Sequence, residues 1–319
     1  AFPSTFWITN PNNDFIGNVA AGSDGSGFWH LVLTEPINDS GSSYVPGIQP
    51  MGVFDDNRAH SNLFNWGIDS GVDNVTEELT NGHYRPQNAN GTQFIPIINR
   101  FVGYKSVDRN VWIRANKMDF HECTFADNGR SDFFSYTQTL FNSLIVGKSG
   151  NIGTPTSASE IEAGRTLPYP DLDANHFSNG FRGHSIYDGP SGIVDTHFAG
   201  FDSNGANAYC FQTNGASRKS TNHFARGITF DPSIPEANKF DFTNSSHLSF
   251  MYLSGIIDED GSLTGSAGSR VSPIISSHPN GRNLYEKGAN AQQTNIIEKP
   301  EWGAWITSVK EYNYLRDLD

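Results

Sequence analysis

The chain reads as an all-β protein, a parallel β-helix (a solenoid) with long loop insertions. Three observations predict that fold. The first is a recurring six-residue pattern: Phe15-x-x-Asn18-x-Ala20, Phe54-x-x-Asn57-x-Ala59, Phe120-x-x-Cys123-x-Phe125, Leu140-x-x-Ser143-x-Ile145 and Ile193-x-x-Thr196-x-Phe198. A weaker copy is Ala225-x-x-Ile228-x-Phe230. The ends of the pattern are mostly apolar and its middle is small, polar or weakly apolar. A β-helix coil needs that arrangement: one short strand points inward, a corner turns, and the next strand points inward again. The second observation is composition, since 32 Gly, 16 Pro and 13% aromatic residues suit short strands with many turns. The third is that no amphipathic helical stretch of real length appears.

Taken in order, the copies predict an aromatic and aliphatic column beside a ladder of small residues. In that ladder Asn18 and Asn57 can hydrogen-bond from rung to rung. The copies start at 15, 54, 120, 140, 193 and 225. Only the step from 120 to 140 is close to one coil of roughly 20–25 residues, so the other steps carry skipped coils or long loops. A β-sandwich whose strands share a motif is the competing fold. Phe94-Ile-Pro-Ile-Ile98 and Val111-Trp-Ile-Arg114 fit coil walls. The tract 150–179 is rich in Gly, Ser, Thr, Pro and Asp and reads as a long surface loop. Residues 1–243 hold the coils. Residues 244–319 hold further strands, Leu248–Leu253 and Trp302–Val309 among them, that close or extend the helix within one continuous domain.

Composition excludes several function classes. The formal net charge is −13, which opposes bulk electrostatic binding of nucleic acid. It also repels polyanionic sugars unless a local basic patch or a bound cation offsets the field. No run approaches the ~20 apolar residues of a membrane span. The chain begins at Ala1 without a signal-peptide pattern. That start, with an open first coil at Phe6-Trp7-Ile8, is expected of a processed form or a fragment, with a missing N-terminal half or another copy stacked above it. The two cysteines, Cys123 and Cys210, form no disulfide framework, and a bridge between them requires closely stacked coils.

A longer ordered set of motifs runs through the chain. It comprises Ser4-Thr-Phe-Trp-Ile-Thr-Asn-Pro-Asn-Asn13, Asn18-Val-Ala-Ala-Gly-Ser23, Gly27-Phe-Trp29 and Gly52-Val-Phe-Asp-Asp-Asn-Arg-Ala-His-Ser-Asn62. Phe125-Ala-Asp-Asn-Gly129, Arg165-Thr-Leu-Pro168, Ile186-Tyr-Asp-Gly-Pro190 and Asp258-Glu-Asp-Gly-Ser-Leu-Thr-Gly265 follow. In order and spacing this set resembles the family of cell-surface hyaluronidase (transmembrane protein 2) and the cell migration-inducing, hyaluronan-binding protein, with fibrocystin as a more distant relative. The resemblance implies a right-handed parallel β-helix in an extracellular, secreted or cell-surface protein that handles hyaluronan or a similar glycan. It covers the C-terminal half of that architecture. Nothing here looks like the Gly-rich G8 domain that precedes this region in the family. Scarce cysteine and low charge depart from the animal members, which puts hyaluronan as the particular substrate in doubt.

Registering the copies predicts two adjacent outward rows. The position before the middle residue holds Asp56, Glu122, Asn142 and Asp195; the position after it holds Arg58, Thr124, Leu144, His197 and Thr229. Coils stand about 4.8 Å apart, so carboxyls two coils apart meet the ~5–9.5 Å that glycoside hydrolysis uses. Glu122, Asp195 and His197 are therefore the acid/base candidates, with His60 as a further group able to titrate near neutral pH. Tyr187, Asp188, Arg58, Arg218 and Arg226 are the candidates for holding sugar. Outward polar rows also keep any solenoid soluble, and Asp188-Gly-Pro is first a turn signal. Asp258 and Asp260 lie in an acidic turn able to hold Ca²⁺ through oxygen ligands, although the EF-hand series is incomplete. No serine-hydrolase elbow, phosphate loop, dinucleotide fingerprint or zinc-protease motif is present. The expected activity is cleavage within a polysaccharide chain, by hydrolysis in preference to elimination. A non-catalytic glycan-binding, adhesive or structural module is the alternative.

Overall fold

A computed structural model describes residues 3–33, 43–69, 84–113, 115–131, 137–154, 157, 159, 180–186, 189–211, 220, 222–242, 255–273 and 297–307. Its strands stack in coils over three faces. The first coil is β1 (Ser4–Ile8), β2 (Phe15–Ile16) and β3 (Val19–Ala21). The second is β4 (Ser26–Leu31), β5 (Phe54–Asp55) and β6 (Arg58–His60), and the third is β7 (Phe64–Asp69), β8 (Ile97–Asn99) and β9 (Val102–Tyr104). Then come β10 (Arg109–Ile113), β11 (Met118–His121) and β12 (Thr124–Ala126), followed by β13 (Gln138–Phe141) and β14 (Leu144–Val146). The next coil is β15 (Arg182–Ile186), β16 (Gly192–Val194) and β17 (His197–Ala199). Last are β18 (Asn207–Phe211), β19 (His223–Arg226) and β20 (Thr229–Phe230), then β21 (Phe240–Asp241) and β22 (Ile256–Asp258).

On the first face β1-β4-β7-β10 and β15-β18-β21 pair in parallel, and bridges from Arg130 to Arg109 and to Arg182 join the two sheets. The second face runs β2-β5-β8-β11-β13-β16-β19-β22 and the third β3-β6-β9-β12-β14-β17-β20, both parallel throughout. Parallel pairing in sequence order on three faces is the β-helix that the pattern predicts.

The columns explain why these residues fold this way. Phe15, Phe54, Ile98, Phe120, Leu140, Ile193 and Ala225 are Cα partners from coil to coil on the second face. Ala20, Ala59, Gly103, Phe125, Ile145, Phe198 and Phe230 do the same on the third. Every predicted copy is therefore in register. One copy escaped the pattern, Ile98-x-x-Phe101-x-Gly103, because its last position is glycine. The Asn110 side chain fills the space a Cβ at Gly103 would take. Burying each large column residue contributes about 1.5–3 kcal/mol, and the apolar cluster runs unbroken from Ile8 to Ile306. Rings interlock across coils, with Trp66 edge-on to both Phe54 (6.1 Å) and Phe120 (5.7 Å).

Polar ladders settle the corners. Asn57 Oδ1 accepts from the Asn18 backbone N–H (2.9 Å) and from Asn18 Nδ2 (3.1 Å), the expected rung-to-rung contact. Three coils on, Ser143 Oγ accepts from the Cys123 backbone N–H at 3.0 Å. A second ladder was not foreseen: Asn62, Asn65 and Asn110 are linked side chain to side chain at 2.9–3.0 Å inside the stack. Cys123 and Cys210 are buried and not joined by a disulfide.

The far end is closed by antiparallel strands. β23 (Ser269–Pro273) pairs with β22, and β25 (Ala304–Thr307) lies between β23 and β24 (Ile297–Lys299). The one-turn helix α1 (Glu236–Lys239) receives the buried Trp302 Nε1–H on its Glu236 carbonyl at 2.8 Å. The antiparallel strands cover the edge of β22 and leave the short strand β24 at the end of the sheet. Leu248–Leu253, most of the tract 150–179 and the tail 310–319 lie outside the described residues.

Candidate functional site

Side chains alternate across a strand, so the neighbours of the inward second-face column point outward. Val53 and Asp55, Ile97 and Asn99, Asp119 and His121, Thr139 and Phe141 form two parallel outward rows there. Over the start of these rows the segments around Met51 and Phe94 rise and leave a cavity of about 510 Å³. One wall is apolar: Val53 and Ile97 are 51% and 50% exposed, large fractions for branched aliphatic residues, and Phe94 stands beside them. The polar groups are Asp55, Asn99 and His121. Asn99 Nδ2 donates to Asp55 Oδ1 at 2.8 Å, and Arg100 pairs with Asp55 Oδ2 at 2.5 Å. The His121 ring lies 4.7 Å from Phe141 on the next coil.

Asp119 follows Ile97 in the same outward row, in register between Ile97 and Thr139 and one coil beyond the cavity's apolar wall. One of its carboxylate oxygens is buried with no hydrogen-bond partner among the described residues. Burial raises the carboxyl above the usual carboxylate range, against the opposing pull of Lys117 and His121. A carboxyl that keeps its proton to higher pH beside an imidazole can donate to a sugar hydroxyl or a glycosidic oxygen. The sequence pattern passed over Asp55, Asn99, Asp119 and His121 together, because the missed copy at Ile98 carries the middle of the groove. Registering that copy would have aligned Asn99 with His121.

The residues singled out from sequence fall elsewhere. Glu122 and Asp195 occupy the corner between the second and third faces, in a ladder of Gly17, Asp56, Arg100, Glu122, Asn142, Asp195 and Gly227. All have φ between 48° and 67°. Asn, Asp and Gly tolerate that left-handed conformation best, which accounts for much of the apparent acid row. Glu122 and Asp195 are exposed and stand two coils apart, about 10 Å at the usual strand spacing. His197 is near Asp195 on β17, with Nδ1 2.8 Å from Thr229 Oγ1. Arg58 shares the outward row of His197 but is separated from it by Val102, Thr124 and Leu144.

His60 lies within strand β6, at its outer side, where its ring stacks on Tyr104 at 4.7 Å and 16°. Burial and the nearby Lys105 lower its pKa. Arg226 is exposed and faces Glu259 at 3.7 Å. Tyr187, Asp188 and Arg218 lie outside the described residues.

Asp258 continues the inward column beneath Ala225, so its carboxylate is buried and must be satisfied inside the protein. It accepts from the Gly261 N–H (3.0 Å), the Thr264 N–H (2.7 Å) and the Thr264 hydroxyl (2.7 Å). Asp260 accepts from the backbone N–H groups of Gly227 (2.8 Å) and Ser262 (3.0 Å). These contacts suit two residues that shape a turn. Among the described residues no group of three or more His, Cys, Asp or Glu side chains converges as a metal site.

Comparison with known proteins gives a consistent likeness. A family model described as the CEMIP β-helix matches residues 1–67. The human cell migration-inducing and hyaluronan-binding protein is 32% identical over 96% of this chain and 24% of its own length. The mouse protein of the same name is 31% identical over the same shares. Human cell surface hyaluronidase CEMIP2 is 31% identical over 61% of this chain and 16% of its own. The chain thus spans about a quarter or less of the length of these relatives.

Proposed function

Because this chain is a homologue of a segment of the hyaluronan-binding and cell surface hyaluronidase proteins, we propose that it is a glycan-handling β-helix of the hyaluronidase type. It acts outside the cell, secreted or at the cell surface. An extended polysaccharide lies along the helix axis over the second face, where successive coils offer a new outward pair every ~4.8 Å. The observation that carries this reading is the cavity beside Asn99, His121 and Phe141, in a chain whose likeness to those proteins extends over 96% of its length. The net charge of −13 opposes a polyanion, so contacts in the groove rely on hydrogen bonds and stacking more than on ion pairs.

Glu122 and Asp195 at the corner, with His197 near Asp195 and His60 further along the third face, are the proposed acid and base groups of a hydrolytic cleavage. The coil spacing of Glu122 and Asp195, about 10 Å, lies just beyond the upper end of the inverting geometry, so the side chains must lean toward one another to act as a pair. Tyr187, Asp188, Arg58, Arg218 and Arg226 are proposed to hold sugar, and calcium at Asp258 and Asp260 is the proposed cation site. One observation favours a second reading, a segment that binds glycan without cleaving it: Glu122 and Asp195 occupy corner positions with a conformational role of their own.

Size-exclusion chromatography of hyaluronan and several plant and marine polysaccharides, incubated with the chain in calcium and in chelator, tests both. Shortened products without new ultraviolet absorbance mean hydrolysis, and shortened products with it mean elimination. Retained but unshortened polymer leaves the binding reading; polymer neither shortened nor retained overturns both.

A further inference from the structure

The cavity on the second face has a chemistry narrower than "glycan". No Lys or Arg lines it among the described residues, and its one carboxylate, Asp55, is already met by Arg100 and Asn99. The nearest guanidinium, Arg100, is already engaged by Asp55, so a uronate or sulfated residue would have to compete for it and would enter against the protein's overall negative field. The cavity therefore favours an uncharged sugar. Its wall of Val53, Ile97 and Phe94 is apolar beyond what ring hydroxyls need, and it matches a methyl-bearing substituent. Asn99 gives one amide hydrogen to Asp55, and its second N–H and its carbonyl oxygen have no partner among the described residues. A side-chain amide next to an apolar wall is complementary to an acetamido group.

Resting on the glycan reading above, we infer that the cavity over β8 and β11 is a subsite for an uncharged N-acetylated hexosamine residue. The acetyl methyl packs on Val53 and Ile97, and the acetamide meets Asn99. His121, packed at a tilt against Phe141, faces the hydroxyl edge of the same sugar, where an imidazole can donate or accept. The next residue of the polymer then lies beyond the cavity along the axis, past Asp119 and Thr139.

The test uses the full chain with short oligomers of N-acetylglucosamine, of glucosamine and of galacturonic acid, read by saturation-transfer NMR and calorimetry. The expected result is binding of the N-acetylated oligomer, with strongest saturation on its acetyl methyl and an affinity insensitive to salt. Ile97→Ser and Asn99→Ala are each expected to weaken it by roughly tenfold while leaving the melting curve in place. If Asn99→Ala disturbs folding by freeing Asp55, Ile97→Ser on the outer face decides alone. Equal or tighter binding of the deacetylated or uronate oligomer overturns the inference, as does unchanged affinity in a folded Ile97→Ser variant. Hyaluronan held or shortened while the acetyl methyl stays unsaturated overturns the subsite and leaves the wider reading standing. N-acetylated oligomers bound at Ile97 and Asn99 with no polymer retained support the subsite and count against the wider reading.

Discussion

Replacing Asn57 by alanine removes the first rung of the corner ladder. Asn57 is fully buried. Its Oδ1 accepts the Asn18 backbone N–H and the Asn18 amide, and its Nδ2 donates to the Phe15 carbonyl at 2.7 Å. The substitution deletes three hydrogen bonds and leaves a backbone donor and a backbone acceptor of the first coil without these partners. At about 0.5–1.5 kcal/mol for each lost bond, the cost is about 2–4 kcal/mol. Serine should recover part of it. Ser143, at the same position of a later coil, accepts the Cys123 N–H and donates to the Phe141 carbonyl at 2.8 Å. Urea denaturation of wild type, Asn57→Ala and Asn57→Ser, followed by circular dichroism and by tryptophan fluorescence, measures the series. Both probes are needed because coils of a solenoid can unfold separately. Asn57→Ala within about 0.5 kcal/mol of wild type, or serine no better than alanine, refutes the claim that this ladder ties the coils together.

Three further outcomes follow from the same structure. His30 is buried among Phe54 and Trp66, and its pKa is lowered to about 3, by burial first and against the raising effect of the hydrogen bond it makes to the Gly67 backbone. The unfolded chain therefore binds the proton first as pH falls from 6.5. Stability should drop by about 1.4 kcal/mol per pH unit from there toward 3, and an unchanged acid limb in His30→Phe would count against that. Glu122→Gly relieves a left-handed backbone and should raise stability by up to ~1 kcal/mol in denaturant titration, whereas a loss of polysaccharide cleavage without such a gain would favour its acid/base role. The folded-state pKa of Asp119 lies above its unfolded value, so the stability of its protonated form is present below the unfolded pKa and lost as pH rises through the folded one. Asp119→Asn should raise the melting midpoint at neutral pH and leave it unchanged in strong acid, as followed by scanning calorimetry.

The inward columns were legible because a strand's period of two and an interior of fixed width act on neighbouring residues. Phe54, Phe120, Leu140 and Ile193 announce their register by size alone, and Asn18 and Asn57 announce theirs by pairing a small polar residue with a corner. The β-helix was readable at that level, whereas the likeness to hyaluronan-binding and cell surface hyaluronidase proteins rested on the ordered motifs from Ser4 to Gly265. The corner conformation was not, since Asp56, Glu122 and Asp195 look the same in sequence whether they serve a positive φ or a substrate. Gly103 hid a whole coil because its space is filled by Asn110 from the following coil, a contact local pattern does not contain. The groove is more distant still. Asp55, Asn99 and His121 belong to three coils, and the segment around Phe94 becomes a wall only once the chain has stacked. Alternation and side-chain volume are local properties and let the sequence by itself determine what faces inward. Only the tertiary structure decided which outward residues meet, because that depends on how many residues each insertion spends between one coil and the next.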